Sequence, residues 1–190
     1  MAPFEKSTDS TGDLGVSLKS ETLLGKRIAL GVCGGIGAVE VVKIIREIRR
    51  HSARVTAFMT PSAQAFIGAT SLEWACNEPT VSHLSPRLEH FEGFDLVIVA
   101  PATLNTISKC VVGLCDNPVT LLVASQLGQK GRLLLVPAMN TSLRSHPRYI
   151  EHLTLLEGWG TQIFECPEEE GRFKMPSPEA LAEKVIRCLN

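Results

Sequence analysis

Two short segments that carry an asparagine concentrate the chemistry-bearing groups of this chain: Pro101-Ala102-Thr103-Leu104-Asn105-Thr106 and Pro137-Ala138-Met139-Asn140-Thr141. An asparagine amide offers a carbonyl acceptor and an NH2 donor, which suits a heterocycle edge or a carboxylate. Each segment follows an apolar run, Leu96-Val97-Ile98-Val99-Ala100 and Leu133-Leu134-Leu135-Val136, that reads as a strand buried on both faces. Ligands of open α/β sheets bind outside the carboxyl ends of such strands. A third segment, Cys33-Gly34-Gly35-Ile36-Gly37-Ala38, follows the strand Arg27 to Val32. Glycines there let a phosphate approach backbone N–H groups at a helix start, although a tight strand-to-helix turn needs the same glycines. The spacing is not the GxGxxG fingerprint of dinucleotide sites. Thr60 and Ser62, after the strand Arg54 to Met59, add two hydroxyls that suit a phosphate or a helix cap. A phosphate held in this way points to a mononucleotide.

The elements that must position these groups alternate. Beyond the strands 27–32 and 54–59, strands are expected at Asp95 to Ala100, Arg132 to Val136 and Thr161 to Phe164. Helices are expected at Val39 to Arg50, Thr103 to Val112, Pro118 to Leu127, Pro147 to Glu157, and from a Ser177-Pro178-Glu179 cap to Leu189, with another starting at Thr60-Pro61-Ser62. Alternation of this kind implies a three-layer α/β/α doubly wound parallel sheet, flavodoxin- or Rossmann-like, in a single domain over residues 26–190. Residues 1–25, rich in Ser, Thr, Asp, Lys and Gly with isolated leucines, read as a flexible N-terminal extension.

Composition excludes several function classes. A net charge of −1 over 190 residues argues against a nucleic-acid footprint, which needs a basic face. No apolar run is long enough to span a bilayer, and no basic-then-apolar leader pattern is present, so a soluble, cytoplasmic protein is expected. The six cysteines lack CxxC or CxH spacing, which fits reduced thiols better than disulfides or a metal site.

Taken in order, Gly34-Gly35-Ile36-Gly37-Ala38, Pro101 to Thr106, Gly113-Leu114-Cys115-Asp116-Asn117 and Pro137 to Thr141 resemble the homo-oligomeric flavin-containing cysteine decarboxylases. That family includes the phosphopantothenoylcysteine decarboxylases of coenzyme A biosynthesis and the peptidyl-cysteine decarboxylases. The resemblance implies FMN bound between the subunits of a homotrimer or of a dodecamer. By motif match, Gly34, Gly35, Ile36, Thr60 and Ser62 would hold the phosphate and ribityl chain, and Ala102, Thr103, Asn105 and Thr106 the ring. Asn117, Ala138, Met139 and Asn140 would line the substrate side, with Asn140 reaching a substrate carboxylate or amide. In that chemistry oxidised FMN takes two electrons from a cysteine moiety, CO2 leaves, and an enethiol remains.

Departures from the family pattern bear on the reaction. The family histidine before the third strand corresponds by spacing to Arg87, which cannot act as a base near neutral pH but can bind an anion at the substrate mouth. His90 takes the role of base if the loop is shortened, and His83 lies four residues before Arg87. The glycine-rich substrate flap is replaced by Cys166-Pro167-Glu168-Glu169-Glu170-Gly171-Arg172-Phe173-Lys174-Met175, whose carboxylates would repel a phosphorylated substrate unless Arg172 and Lys174 screen them. Cys166 is the candidate reductant of the enethiol, and Leu143-Arg144 replaces the usual residues beyond the second asparagine motif. Three readings follow: an FMN-dependent decarboxylase acting on phosphopantothenoylcysteine or a peptide C-terminus, an FMN-dependent reductase of pterin type on the same fold, and a non-catalytic regulatory subunit.

Overall fold

A computed structural model describes residues 14–85 and 93–190. Five parallel strands form one sheet: β1 (Arg27–Val32), β2 (Arg54–Met59), β3 (Leu96–Ala102), β4 (Leu133–Pro137) and β5 (Gln162–Ile163), in the order β2-β1-β3-β4-β5. The helices are α1 (Val41–Arg49), α2 (Ala69–Cys76), α3 (Leu104–Val112), α4 (Pro118–Gly128), α5 (Thr141–Arg144), α6 (Pro147–Gly158) and α7 (Pro178–Leu189). A two-stranded antiparallel hairpin, β6 (Glu168–Glu169) and β7 (Arg172–Phe173), stands apart from the sheet.

Strand alternation divides the core in two. Ile28, Leu30, Val32, Ile98, Ala100, Leu134 and Val136 pack with α1, α2 and α7 on one face. Ala29, Val97, Val99, Leu133 and Leu135 pack with α3, α4 and α6 on the other. Every residue of β3 is buried, as a central strand covered on both sides requires. Each such Ile, Leu or Val contributes about 1.5–3 kcal/mol of transfer free energy. The three-layer expectation therefore stands.

Local signals set the helix ends. In α1, Val41, Ile44, Ile45 and Ile48 form the buried stripe. Asn117 caps α4 with Pro118 in the first turn, and Ser177 with Pro178 does the same for α7. Gly113, at φ 71°, closes α3 in the left-handed conformation that favours glycine.

Several boundaries differ from the sequence reading. The helix expected from Val39 starts earlier, as a 3-10 turn over Ile36–Glu40, and becomes α-helical only at Val41. Thr60 does cap a helical segment, but only the 3-10 turn Pro61–Ala65, and α2 follows separately. β3 runs on through Pro101 and Ala102 instead of ending at Ala100.

The sequence reading placed residues 1–25 outside the domain, yet part of that stretch is packed. Leu23 is fully buried, and the N–H groups of Lys19 and Ser20 donate to the Arg50 carbonyl. Glu47 of α1, only 2% exposed, anchors this strap. It accepts hydrogen bonds from Lys19 Nζ at 2.6 Å and from an Arg50 guanidinium nitrogen at 2.8 Å, with His51 Nε2 at 3.7 Å. Burial alone would raise the Glu47 pKa, but these cationic partners more than offset it and hold it below the usual carboxylate value. A depressed native pKa adds stability that is present above the unfolded carboxylate pKa of about 4.3 and is lost as pH falls through the lower native value. We expect Glu47→Gln to destabilise the protein by about 1–3 kcal/mol at neutral pH. The gap to the parent should close in thermal denaturation as pH is lowered below 4; an unchanged gap would remove Glu47 from this role.

Candidate functional site

The sheet order reverses between β1 and β3, so the loops leaving these strands splay to opposite faces and open a crevice at their carboxyl ends. Four loops meet there. A methyl group added at Gly34 would lie 2.6 Å from Ser62 Oγ and 2.8 Å from the Ser62 carbonyl carbon, so only glycine permits this approach of the β1 and β2 loops. Gly35 faces Thr103 and Pro101, where a Cβ would make ordinary contacts at 3.8 and 3.9 Å. A Cβ at Gly37 would lie 2.6 Å from Met175 Cγ, because Met175 reaches across from the segment after β7.

Hydroxyls line the floor. Thr60 Oγ1 accepts from Ala63 N–H and lies 3.1 Å from the exposed Ser62 Oγ. Thr103 caps α3, accepting from the Thr106 N–H and donating to Thr106 Oγ1 at 3.2 Å. Thr106 itself is buried and hydrogen-bonds the Cys33 thiol, so its side chain faces the core and not the crevice. Ala102 is likewise buried in β3. Burial pushes the Cys33 thiol up to about 11 against the opposing effect of the Thr106 and Thr103 hydrogen bonds. Ile36 is 72% exposed and Asn105 is exposed.

The two other asparagines have different commitments. Asn117 Oδ1 caps α4 by accepting from the Val119 and Thr120 N–H groups, and its Nδ2 donates to Asp116 Oδ1 at 2.8 Å. Asp116 is in turn paired with Lys109. The Asn117 oxygen is thus spent on the α4 cap and one of its two N–H donors on Asp116, which leaves one N–H for the substrate contact expected of it. Asn140 caps α5 through Oδ1, which accepts from Leu143 N–H at 2.9 Å. Its Nδ2 has no hydrogen-bond partner among the described residues.

The acidic flap is an ordered hairpin docked on this loop. Phe173 N–H donates to the Met139 carbonyl at 2.9 Å, Thr141 Oγ1 donates to the Gly171 carbonyl at 2.6 Å, and Asn140 bridges to Arg172. Lys174 Nζ sits 2.7 Å from Glu169 and 3.8 Å from Glu170, which cancels part of the hairpin's negative charge. Cys166, the candidate reductant, is 7% exposed and belongs to the core cluster. Burial pushes its thiol up to about 12, with Arg144 opposing and Glu165 reinforcing the shift. His83 lies away from the crevice, in a cleft with Arg27, Arg54 and Phe94. Arg87 and His90 fall outside the described residues. Met175 and the hairpin's backbone clasp were absent from the expected site set, and only the retained Cys-to-Met spacing hinted at them.

A family model described as Flavoprotein matches residues 16–190. The chain belongs to the Flavoprotein family. Among its relatives, the coenzyme A biosynthesis bifunctional protein CoaBC of Thermococcus kodakarensis is 38% identical over 179 residues, covering 90% of this chain and 44% of that protein. The chain thus spans less than half the length of such relatives. Solved structures that share the fold include the following two. The FMN-dependent cysteine decarboxylase SpaF superposes with a TM-score of 0.76 at 23% identity, covering 88% of this chain and 99% of that one. A PPC decarboxylase mutant complexed with pantothenoylaminoethenethiol gives 0.73 at 22%, covering 84% and 96%. The flavodoxin-like expectation is borne out by these superpositions. Among the described residues no cluster of His, Cys, Asp and Glu could hold a metal ion, and no helix is long and apolar enough to cross a membrane.

For this Flavoprotein chain, thiol exposure separates the cysteines. Cys33, Cys76, Cys110, Cys166 and Cys188 are buried, and Cys115 is half-buried. With the thiolate as the reacting form, brief treatment with iodoacetamide near pH 7.5 should label Cys115 alone when peptides are mapped by mass spectrometry. Rapid labelling of Cys166 would show that the hairpin opens in solution.

Proposed function

We propose that the chain binds FMN at the crevice between β1 and β3 and catalyses FMN-dependent oxidative decarboxylation of a cysteine-derived carboxylate, with phosphopantothenoylcysteine as the first substrate to test. The observation that carries this reading is the joining of the Gly34–Ser62 cradle to the Asn140 loop across the crevice, with Met175 and the docked hairpin closing one side. The residues fit the cofactor: Gly34 and Gly35 leave room for a phosphate against backbone amides, and Ser62 and Thr60 supply hydroxyls. Thr103 and Asn105 stand beside the place a flavin ring would take. FMN supplies acceptance of two electrons from the cysteine moiety when bound.

The chain's own residues then hold the substrate. Asn140 is fixed by its cap, so its Nδ2–H2 donors are preorganised toward a carboxylate or amide at no further entropic cost. Met175, packed against Gly37, and Phe173 would shield the hairpin side of the site from water. Cys166 is packed as a neutral thiol, so any part it takes in reducing the enethiol requires the hairpin to move. Arg87 or His90 would supply the remaining polar group, as an anion contact or as the base. A homo-oligomer, trimer or dodecamer, fits the exposed Ile36 beside the glycines, since a second subunit would cover an apolar side chain at the cofactor. The CoaBC and decarboxylase relatives support this reading. A charged small-molecule substrate of this kind does not cross a bilayer unaided, which fits a cytoplasmic location for the proposed reaction.

The test is direct. The purified protein should be yellow, carry FMN, and release CO2 from phosphopantothenoylcysteine under anaerobic conditions; a colourless protein that takes up no FMN would sink the proposal. Asn140→Asp keeps the α5 cap and removes the donor, so turnover should fall by about 10²–10³ with the melting temperature retained. Asn140→Ala should lose the same activity and about 1 kcal/mol of stability as well. Equal activity in both variants and the parent would take Asn140 out of the reaction.

A further inference from the structure

Resting on the reading above, we propose that Arg144 sets substrate specificity by binding a non-reacting anionic group, a phosphate monoester or a carboxylate, on the arm of the substrate remote from its cysteine. Arg144 is the last residue of α5, and its backbone N–H donates to the carbonyl of Asn140 at 3.1 Å. Its guanidinium carbon lies over the Phe173 ring, 3.6 Å from the centroid, with the Tyr149 ring at 5.8 Å. It therefore joins the asparagine loop to the hairpin through one stacked contact. Stacking engages the face of the guanidinium and leaves its rim of N–H donors available. Among the described residues no carboxylate or carbonyl hydrogen-bonds that rim.

The surrounding charges make this unusual. The hairpin carries Glu168, Glu169 and Glu170, and Glu165 lies close enough to raise the Cys166 thiol. Lys174, not Arg144, takes Glu169 and Glu170. Arg144 is only partly exposed, held by two aromatic rings, and keeps a planar fork that matches phosphate and carboxylate in bidentate fashion. A cation kept for solubility would not be fixed in this way.

The reacting carboxylate is a poor candidate for its partner. That group loses its charge as CO2 departs, so a guanidinium clamped to it would stabilise the ground state more than the transition state and slow the reaction. A charge that persists through the reaction gives uniform binding instead, which appears in KM and not in kcat. Arg144 also answers the difficulty posed by the acidic hairpin, because it places a fixed positive charge beside the carboxylates that would repel an anionic arm.

The experiment compares wild type, Arg144→Gln and Arg144→Lys, each loaded with FMN. Binding of phosphopantothenate and of pantothenate, neither of which carries the reacting cysteine, is measured by calorimetry. Turnover of phosphopantothenoylcysteine, pantothenoylcysteine, and C-terminal cysteinyl peptides with Glu or Gln upstream is measured by CO2 release. Wild type should prefer either the phosphorylated arm or the Glu peptide, which identifies the anion. Arg144→Gln should weaken that preferred ligand by about 10- to 100-fold, in Kd and in KM with kcat retained, and leave its neutral counterpart unchanged. Arg144→Lys should restore part of the loss. Equal weakening of charged and neutral ligands would reduce Arg144 to a packing contact for the hairpin and overturn the proposal, as would no weakening of either. Discrimination that persists in the binding data without CO2 release from any substrate would sink the proposed reaction and leave Arg144 as an anion site. Release of CO2 with no charge discrimination would do the reverse.

Discussion

The close approach of Gly34 to Ser62 is the constraint on which the rest of the crevice depends. With 2.8 Å between an added Cβ and the Ser62 carbonyl carbon, the obstacle is backbone as well as a movable hydroxyl. The loops after β1 and β2 can meet there only because the two strands run parallel in register, Arg27 against Arg54 through Val32 against Met59. The same register puts Thr60 N–H on the Val32 carbonyl at 3.0 Å and seats the capped 3-10 turn directly beneath the glycines. One geometric fact thus fixes where an anion would meet backbone amides, where the hydroxyls sit, and how far the neighbouring β3 loop must reach. β3 supplies that reach by continuing through Pro101 and Ala102 before Thr103 starts α3.

Opposite this rigid half stands a part assembled by weaker means. The hairpin is held to the Met139–Thr141 loop by three backbone or hydroxyl hydrogen bonds and by Arg144 on Phe173. Exposed hydrogen bonds of this kind each contribute on the order of 1 kcal/mol net, far less than the buried strands. Met175 then spans the two halves by filling the space above Gly37. A site with one fixed wall and one lightly latched wall suits a substrate that must enter, lose water and leave. It also explains why the acidic hairpin can fold at all: Lys174 offsets two of its glutamates locally, and the chain reversal falls at Glu170 and Gly171, both at positive φ.

Much of this was legible in the residues, and the parts that were not share physical reasons. β1 and β2 matched to the residue because apolar runs are bounded there by glycine, lysine or polar turns. α4 and α7 announced themselves through Asn117-Pro118 and Ser177-Pro178. α2 was missed because its eight residues have almost no amphipathic stripe and begin at a glycine with no side-chain cap. The packing of the strap before β1 is hidden in the sequence because a single leucine, Leu23, is fully buried there, while other contacts come from the Leu14 and Gly15 carbonyls and from Lys19 and Ser20, groups that composition alone assigns to solvent. The burial of Cys166 is hidden for a similar reason: it lies next to an acidic loop in sequence, and only tertiary packing carries it into the core.

The asparagines show most clearly where sequence reasoning stops. An amide that caps a helix uses its oxygen, and what remains for chemistry is the NH2 group. Asn117 and Asn140 both cap, so neither residue type nor position at a strand or helix end distinguishes them. The difference is made by one neighbour. Asp116 takes one N–H of the Asn117 amide, and Lys109 holds Asp116 in place, so that amide is tied into a structural unit with one N–H left over. No acceptor follows or precedes Asn140 in the same manner; Met139 precedes it and Thr141 turns its hydroxyl to Gly171. Capping therefore does not compete with the role proposed for Asn140, since the bond that fixes the oxygen also fixes the direction in which the free donors point. An asparagine with one end anchored and the other unspent is the arrangement a preorganised recognition group needs.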